Sequence, residues 1–112
     1  MKIDTQIHGT VAVLVPHGPL TADAVDDFTS RLKMTAEQRQ GRVVVDCRDV
    51  PYLDSRGIET LVYLCGERRE ASTRPKLTHL VDTCREALDL TGVLPRLDTF
   101  DTVENAIRSY KR

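Results

Sequence analysis

The sequence predicts a single α/β domain built on a mixed sheet of about five strands with about four helices. Three observations carry that reading. A pair of short strands at the N-terminus is followed by strict strand–helix alternation. One strand, RVVVDC at 42–47, is a continuous β-branched run, the habit of a strand buried on both faces of a helix-covered parallel sheet. At 112 residues the chain suffices for one core and is too short for two.

The elements follow in order. Residues 2–7, KIDTQI, alternate with Ile3, Thr5 and Ile7 on one face, as in an edge or half-buried strand. His8-Gly9 is a turn signal, TVAVLV at 10–15 is the second strand of a hairpin, and PHGPL ends it. From Thr21 the period becomes helical. Thr21 is the expected N-cap, with Asp23 in the first turn, where the helix dipole favours an acid. Val25, Phe28 and Leu32 form one apolar face, and Gly41 is a natural terminator. After the strand at 42–47, the next helix carries Ile58, Leu61, Val62 and Cys65 on one face, with Tyr63 and Leu64 alongside. It is the most apolar helix and is expected to pack closely on the sheet. Gly66 and the charges Glu67, Arg68, Arg69 and Glu70 mark its exit. KLTHLV at 76–81 reads as a strand, then Cys84, Ala87, Leu88 and Thr91 as a helical face closed by Gly92. RLDTF at 96–100 is the last strand. Val103, Ala106, Ile107 and Tyr110 form the last helical face, capped by Asp101 or Thr102, with Glu104 in the first turn. The order is β-β-α-β-α-β-α-β-α with right-handed crossovers. Whether the helices cover one face of the sheet or both is left open by the sequence.

Composition excludes several functions. A net charge of −1 creates no field for nucleic acid or an anionic membrane, and the tail of Arg108, Lys111 and Arg112 is too short and mixed to alter that. There is no signal-peptide pattern and no apolar run long enough to span a bilayer, so a cytoplasmic protein without membrane insertion is expected. Cys47, Cys65 and Cys84 are widely spaced and read as small buried hydrophobes in a reducing compartment. His8, His17 and His79 are equally dispersed, so no metal site and no cofactor are expected. No GxGxxG or P-loop is present, and Ser55 has no identifiable histidine partner. Asp46 and Asp54 bracket a loop at the end of a buried strand, the usual ligand position in α/β sheets, but capping and turn-making account for both. The chain therefore reads as a substrate of another enzyme rather than as a catalyst.

The informative stretch is PYLDSRGIETLVYL at 51–64, where an apolar loop ends in Asp54-Ser55-Arg56-Gly57 and a helix begins. A Ser or Asp at a helix start is most often only a cap. Yet no Glu or Gln follows three residues later to complete a capping box, and Gly57 in the first turn costs about 1 kcal/mol relative to alanine. A helix N-terminus is also an anion site. A phosphate on Ser55 is expected to leave the fold standing or to tighten the helix. Its charge of about −1.5 to −2 beside Asp54 would repel a docked partner. Gly57 would let that partner approach closely. With aromatic residues at 4% and no Trp, such a face would rely on aliphatic residues and Arg, with Tyr52, Leu53 and Ile58 flanking the serine.

VVVDCRDVPYLDSRGIETLVYL resembles the central signature of the STAS family, the domain of anti-sigma-factor antagonists and of sulfate-transporter tails. REALDLTGVLPRLDTFDTVENAI is similar to the family's third helix, last strand and final helix, and the likeness covers residues 2–111. The resemblance implies a STAS fold and a binding module switched at Ser55. The unmodified antagonist binds an anti-sigma factor that is also a serine kinase and frees a sigma factor. Phosphorylation ends the complex and a serine phosphatase resets it. Asp54 and Gly57 then shape the turn, Arg56 replaces a residue that is usually small, and the first loop adds His17, Leu20 and Thr21 to a partner-binding face with Tyr52 and Leu53. A homodimer is compatible with this reading. The alternative is a constitutive STAS subunit of a larger assembly, such as a lipid-transport ABC accessory protein or a stress-signalling complex, in which Ser55 is only a cap.

Overall fold

The computed structural model describes residues 1–66, 70 and 72–110. Strands β1 (Lys2–His8) and β2 (Val11–His17) pair antiparallel, with His8 opposite Val11 and Lys2 opposite His17. The connection is Gly9-Thr10, and Gly9 takes φ +64°, a left-handed conformation suited to a two-residue hairpin turn. The chain continues through α1 (Val25–Gln38), β3 (Val43–Asp46), α2 (Ser55–Cys65), β4 (Lys76–Thr78), α3 (Asp82–Leu90), β5 (Thr99–Phe100) and α4 (Val103–Arg108). The sheet order is β1-β2-β3-β4-β5, with β2 to β5 parallel. The expected α/β domain, a mixed sheet of five strands with four helices behind an N-terminal hairpin, is thus the observed one.

The strand order settles the placement of the helices. Strands that always advance in the same direction, joined by right-handed crossovers, put every crossover helix on one face. Helices α1, α2 and α3 accordingly pack Phe28, Leu32, Leu61, Leu64, Cys84 and Leu88 against Leu14, Val43, Val45 and Leu77. Helix α4 follows the last strand and lies on the opposite face. There Ala106, with Val103, Ile107 and Tyr110, covers Val11, Val13, Val15 and Val44. Strands β2 and β3 are therefore apolar on both faces, as their continuous β-branched runs indicate. Cys47, Cys65 and Cys84 are buried thiols.

Several boundaries differ from expectation. In β1 only Ile3 is buried; Thr5 is exposed and Ile7 is 53% exposed, because β1 is the sheet edge and Arg31 of α1 reaches no further than Ile3 and Thr5. Helix α1 begins at Val25, four residues after Thr21. The Thr21 carbonyl accepts from the Ala24 and Val25 N–H groups in a preceding turn, Ala24 is the cap residue, and the acids of the first turn are Asp26 and Asp27 rather than Asp23. Strand β4 stops at Thr78, since His79 at φ +55° turns the chain out of the ladder. The last strand shrinks to Thr99–Phe100 after a 3-10 turn at Leu94–Arg96, and Leu97 makes an isolated bridge with Gly66. In α3 the buried face ends at Leu88, and exposed Thr91 turns its hydroxyl back to the Ala87 carbonyl at 2.8 Å. In α2 the buried stripe is Gly57, Leu61, Leu64 and Cys65, with Ile58 and Val62 only partly covered and Tyr63 exposed under Lys33. Thr102 is the cap of α4, accepting from the Asn105 N–H. The Tyr110 hydroxyl lies 2.9 Å from the Val43 carbonyl oxygen and 2.6 Å from that of Arg74, pinning the end of the chain to the starts of β3 and β4. Burial pushes its phenol pKa up. The expected charged exit at Glu67, Arg68 and Arg69 lies outside the described residues, as do Lys111 and Arg112.

Candidate functional site

Two loops meet at the carboxyl ends of β2 and β3. The β2–α1 loop runs beside the β3–α2 loop and forms a one-residue parallel bridge with it, Leu20 against Leu53. The Leu20 N–H donates to the Tyr52 carbonyl at 3.2 Å, and the Asp54 N–H reaches the Leu20 carbonyl at 3.4 Å. Leu20 is 3% exposed, so it shapes the face from beneath, through its backbone, rather than offering its side chain. Leu53 is partly buried against the same core, while Tyr52 keeps 49% of its surface exposed. Thr21 is half-buried, and its carbonyl anchors the turn into α1.

Asp54 ties the loops to the helix. It is the N-cap of α2 in extended conformation, and one carboxylate oxygen accepts from the Gly57 N–H at 2.9 Å. The other accepts from the Ala22 N–H, also at 2.9 Å, across to the neighbouring loop. These two N–H groups, Gly57 first and Ala22 second, hold the Asp54 carboxyl below the usual carboxylate range. The cap is therefore Asp54, and Ser55 is the first residue of the helix proper. The Ser55 side chain is exposed and makes no hydrogen bond to any described residue. Arg56 follows it, 60% exposed and only loosely paired with Glu59 at 3.9 Å.

Gly57 has a different role from the one its sequence position suggests. It is buried, and its φ lies outside the left-handed range. A Cβ added there would collide with the Leu20 carbonyl oxygen. The bare backbone admits the protein's own loop, so the expectation that Gly57 opens the surface to a partner is corrected. The anion-site expectation changes too. The Gly57 N–H is already taken by Asp54, so a phosphate on Ser55 would find that donor occupied and a carboxylate beside it. Arg56 is the adjacent cation on its own helix.

His17 ends β2 at the rim of this face. Its Nε2 lies 2.8 Å from an Asp4 carboxylate oxygen and its Nδ1 3.0 Å from one of Asp49. Asp46, buried at the end of β3, accepts from the Arg48 N–H at 3.1 Å, pairs with the Arg48 guanidinium at 3.3 Å and lies 3.1 Å from Nδ1 of His79. Both candidate carboxylates, Asp46 and Asp54, are thus engaged in building loops. Sequence reasoning missed the Asp54–Ala22 bond and the two partners of His17, because each joins segments distant in the chain. The structure brings Tyr52, Leu53, Asp54, Ser55, Arg56 and Gly57 together with Leu20 and Thr21, and sets His17 at their edge. Among the described residues no group of three or more His, Cys, Asp or Glu could hold a metal ion, and no helix is long and apolar enough to cross a membrane.

Residues 2–106 match the family described as STAS domain. No curated protein matches the sequence. Among solved structures, a candidate anti-sigma factor antagonist of Thermotoga maritima superposes with a TM-score of 0.84 at 18% identity, covering 98% of this chain and 95% of that one. The Bacillus cell fate determinant SpoIIAA in its phosphorylated form gives a TM-score of 0.61 at 20% identity, covering 95% of this chain and 96% of that one. A sulfate transporter family protein of Wolinella succinogenes gives 0.73 at 22% identity, covering 95% of this chain and 88% of that one. At these identities the likeness is one of fold.

Proposed function

This chain belongs to the STAS domain family, and from that premise we propose that it is an anti-sigma-factor antagonist whose docking is switched at Ser55. The unmodified protein binds, in the cytoplasm, an anti-sigma factor that is also a serine kinase, and a sigma factor is released. Phosphorylation of Ser55 ends the complex, and a serine phosphatase restores it. The chain acts as a binding module and as a substrate, not as a catalyst.

The observation that supports this most directly is the Ser55 hydroxyl. It is exposed, unpartnered among the described residues, and relieved of the capping role by Asp54. A residue without a described hydrogen bond of its own stands where two loops meet the start of α2. Added phosphate charge would sit beside the Asp54 carboxylate, so a docked partner would have to desolvate two like charges together. Arg56 and Tyr52 are the exposed large side chains flanking that point, and they are assigned to partner contact.

The test is capture of partners from the native cytoplasm with two baits, Ser55→Ala and Ser55→Asp, read by mass spectrometry. The switch predicts that the Ala bait retains a kinase-like anti-sigma factor and that the Asp bait does not. Equal capture by both baits overturns it. The likeness to a sulfate transporter family protein favours, in that event, the second reading, a constitutive subunit of a larger assembly.

A further inference from the structure

We propose that His17 is a positioning residue, a charged clamp that fastens the β3–α2 loop of the docking face to the first two strands. The geometry carries this. Its two ring nitrogens stand 2.8 Å from Asp4 and 3.0 Å from Asp49. Carboxylates accept and do not donate, and a neutral imidazole has one N–H and one lone pair. With a neutral ring, one nitrogen would turn its lone pair toward a carboxylate oxygen at contact distance. Only the doubly protonated ring satisfies both acids.

Charged groups face the ring from several elements. Asp4 comes from β1, Asp49 from the β3–α2 loop, and Lys2 stands opposite His17 across the β1–β2 ladder. Arg31 approaches β1 from α1 and bonds Thr5. The His17 hydrogen bond, followed by the charges of Lys2 and Arg31, holds the Asp4 carboxyl below its usual range, so Asp4 stays ionised wherever a histidine titrates. The ensemble is two acids against one imidazolium and Lys2, with Arg31 beyond.

The clamp acts where the docking face begins. The Asp49 carbonyl accepts from the Gly18 N–H at 3.0 Å, and three residues further on the Tyr52 carbonyl accepts from Leu20. Loss of the ring proton sets a lone pair against one carboxylate, and Asp49, on a loop, is the side that yields. The loop carrying Tyr52 and Leu53 then loosens, and docking weakens as pH rises. That functional consequence rests on the docking reading; the clamp itself does not.

The experiment uses the full chain labelled with nitrogen-15. Long-range spectra of the histidine rings and amide spectra are followed from about pH 5 to about pH 8, the range of histidine titration. Both His17 nitrogens are expected to be protonated at the acid end. The amides of Gly18, Asp49 and Tyr52 are expected to shift with the same midpoint as the ring. Asp49→Asn is expected to abolish the response of residues 49–52 while His17 remains paired with Asp4. A His17 ring that is neutral across the range overturns the proposal, as do amides at 49–52 that ignore the ring. No readout needs a partner, so failure of the docking reading would leave these results untouched.

Discussion

At residue 57 two effects of opposite sign compete, and their magnitudes give a test. In an open helix, replacing glycine by alanine gains about 1 kcal/mol. Here the new methyl meets the Leu20 carbonyl oxygen, and overpacking of this kind costs about 1–3 kcal/mol. Gly57→Ala is therefore expected to lower stability in urea denaturation, and an increase would show that the loop contact is not rigid. Ser55→Ala, which removes a hydroxyl without a described partner, is expected to change stability by less than about 0.5 kcal/mol. Asp54 gives a pH signature. Its folded pKa lies below the unfolded value, so its contribution is fully present above the ordinary carboxylate range and is lost as pH falls through the lowered value. The urea midpoint of wild type should exceed that of Asp54→Asn by a constant margin near neutrality. The margin should narrow below about pH 4. A margin that instead grows on acidification would reject the assignment of Asp54 as the ionised tie between the loops. Ser55 and Asp54 were both legible in the sequence as a serine and a cap; which of them caps was not, since that depends on where the backbone turns helical.

Among the α-helices described, α4 has the least chain and the most specific anchor. Its six residues close one face of the sheet with a single fully buried side chain, Ala106. The Tyr110 hydroxyl then fastens the chain end to carbonyls preceding β4 and within β3. Tyr110→Phe removes the one O–H that these two carbonyls share and is expected to destabilise the domain by about 1–3 kcal/mol with an unchanged m-value. Stability equal to wild type would mean that water replaces the hydroxyl. The apolar faces of α1 and α4 were readable because a 3.6-residue period repeats within one segment. The true start of α1, the shortness of β4 and the rotated face of α2 were not. Each is set by a contact with another segment: Leu20 and Ala22 delay α1, His79 turns β4 away, and Gly57 under Leu20 draws α2 onto the sheet by its Gly57–Leu61–Leu64 edge. Local pattern carries no information about such partners.

For the whole molecule, strand order and crossover handedness place three helices on one face, and that follows from topology rather than from any residue. The same topology brings the ends of β2 and β3 together, and only there can the two loops meet. The bond from Ala22 to Asp54 joins groups 32 residues apart in the chain. Its closure is expected to follow the pairing of β2 and β3, which would make the face it secures one of the last parts to assemble. Interactions absent from the folding transition state act on the rate of unfolding. Asp54→Ala should speed unfolding and leave refolding nearly unchanged, as stopped-flow chevrons would read it. Slower refolding instead would place this contact in the nucleus. The face that must meet a partner would then order first, and the sheet would form around it.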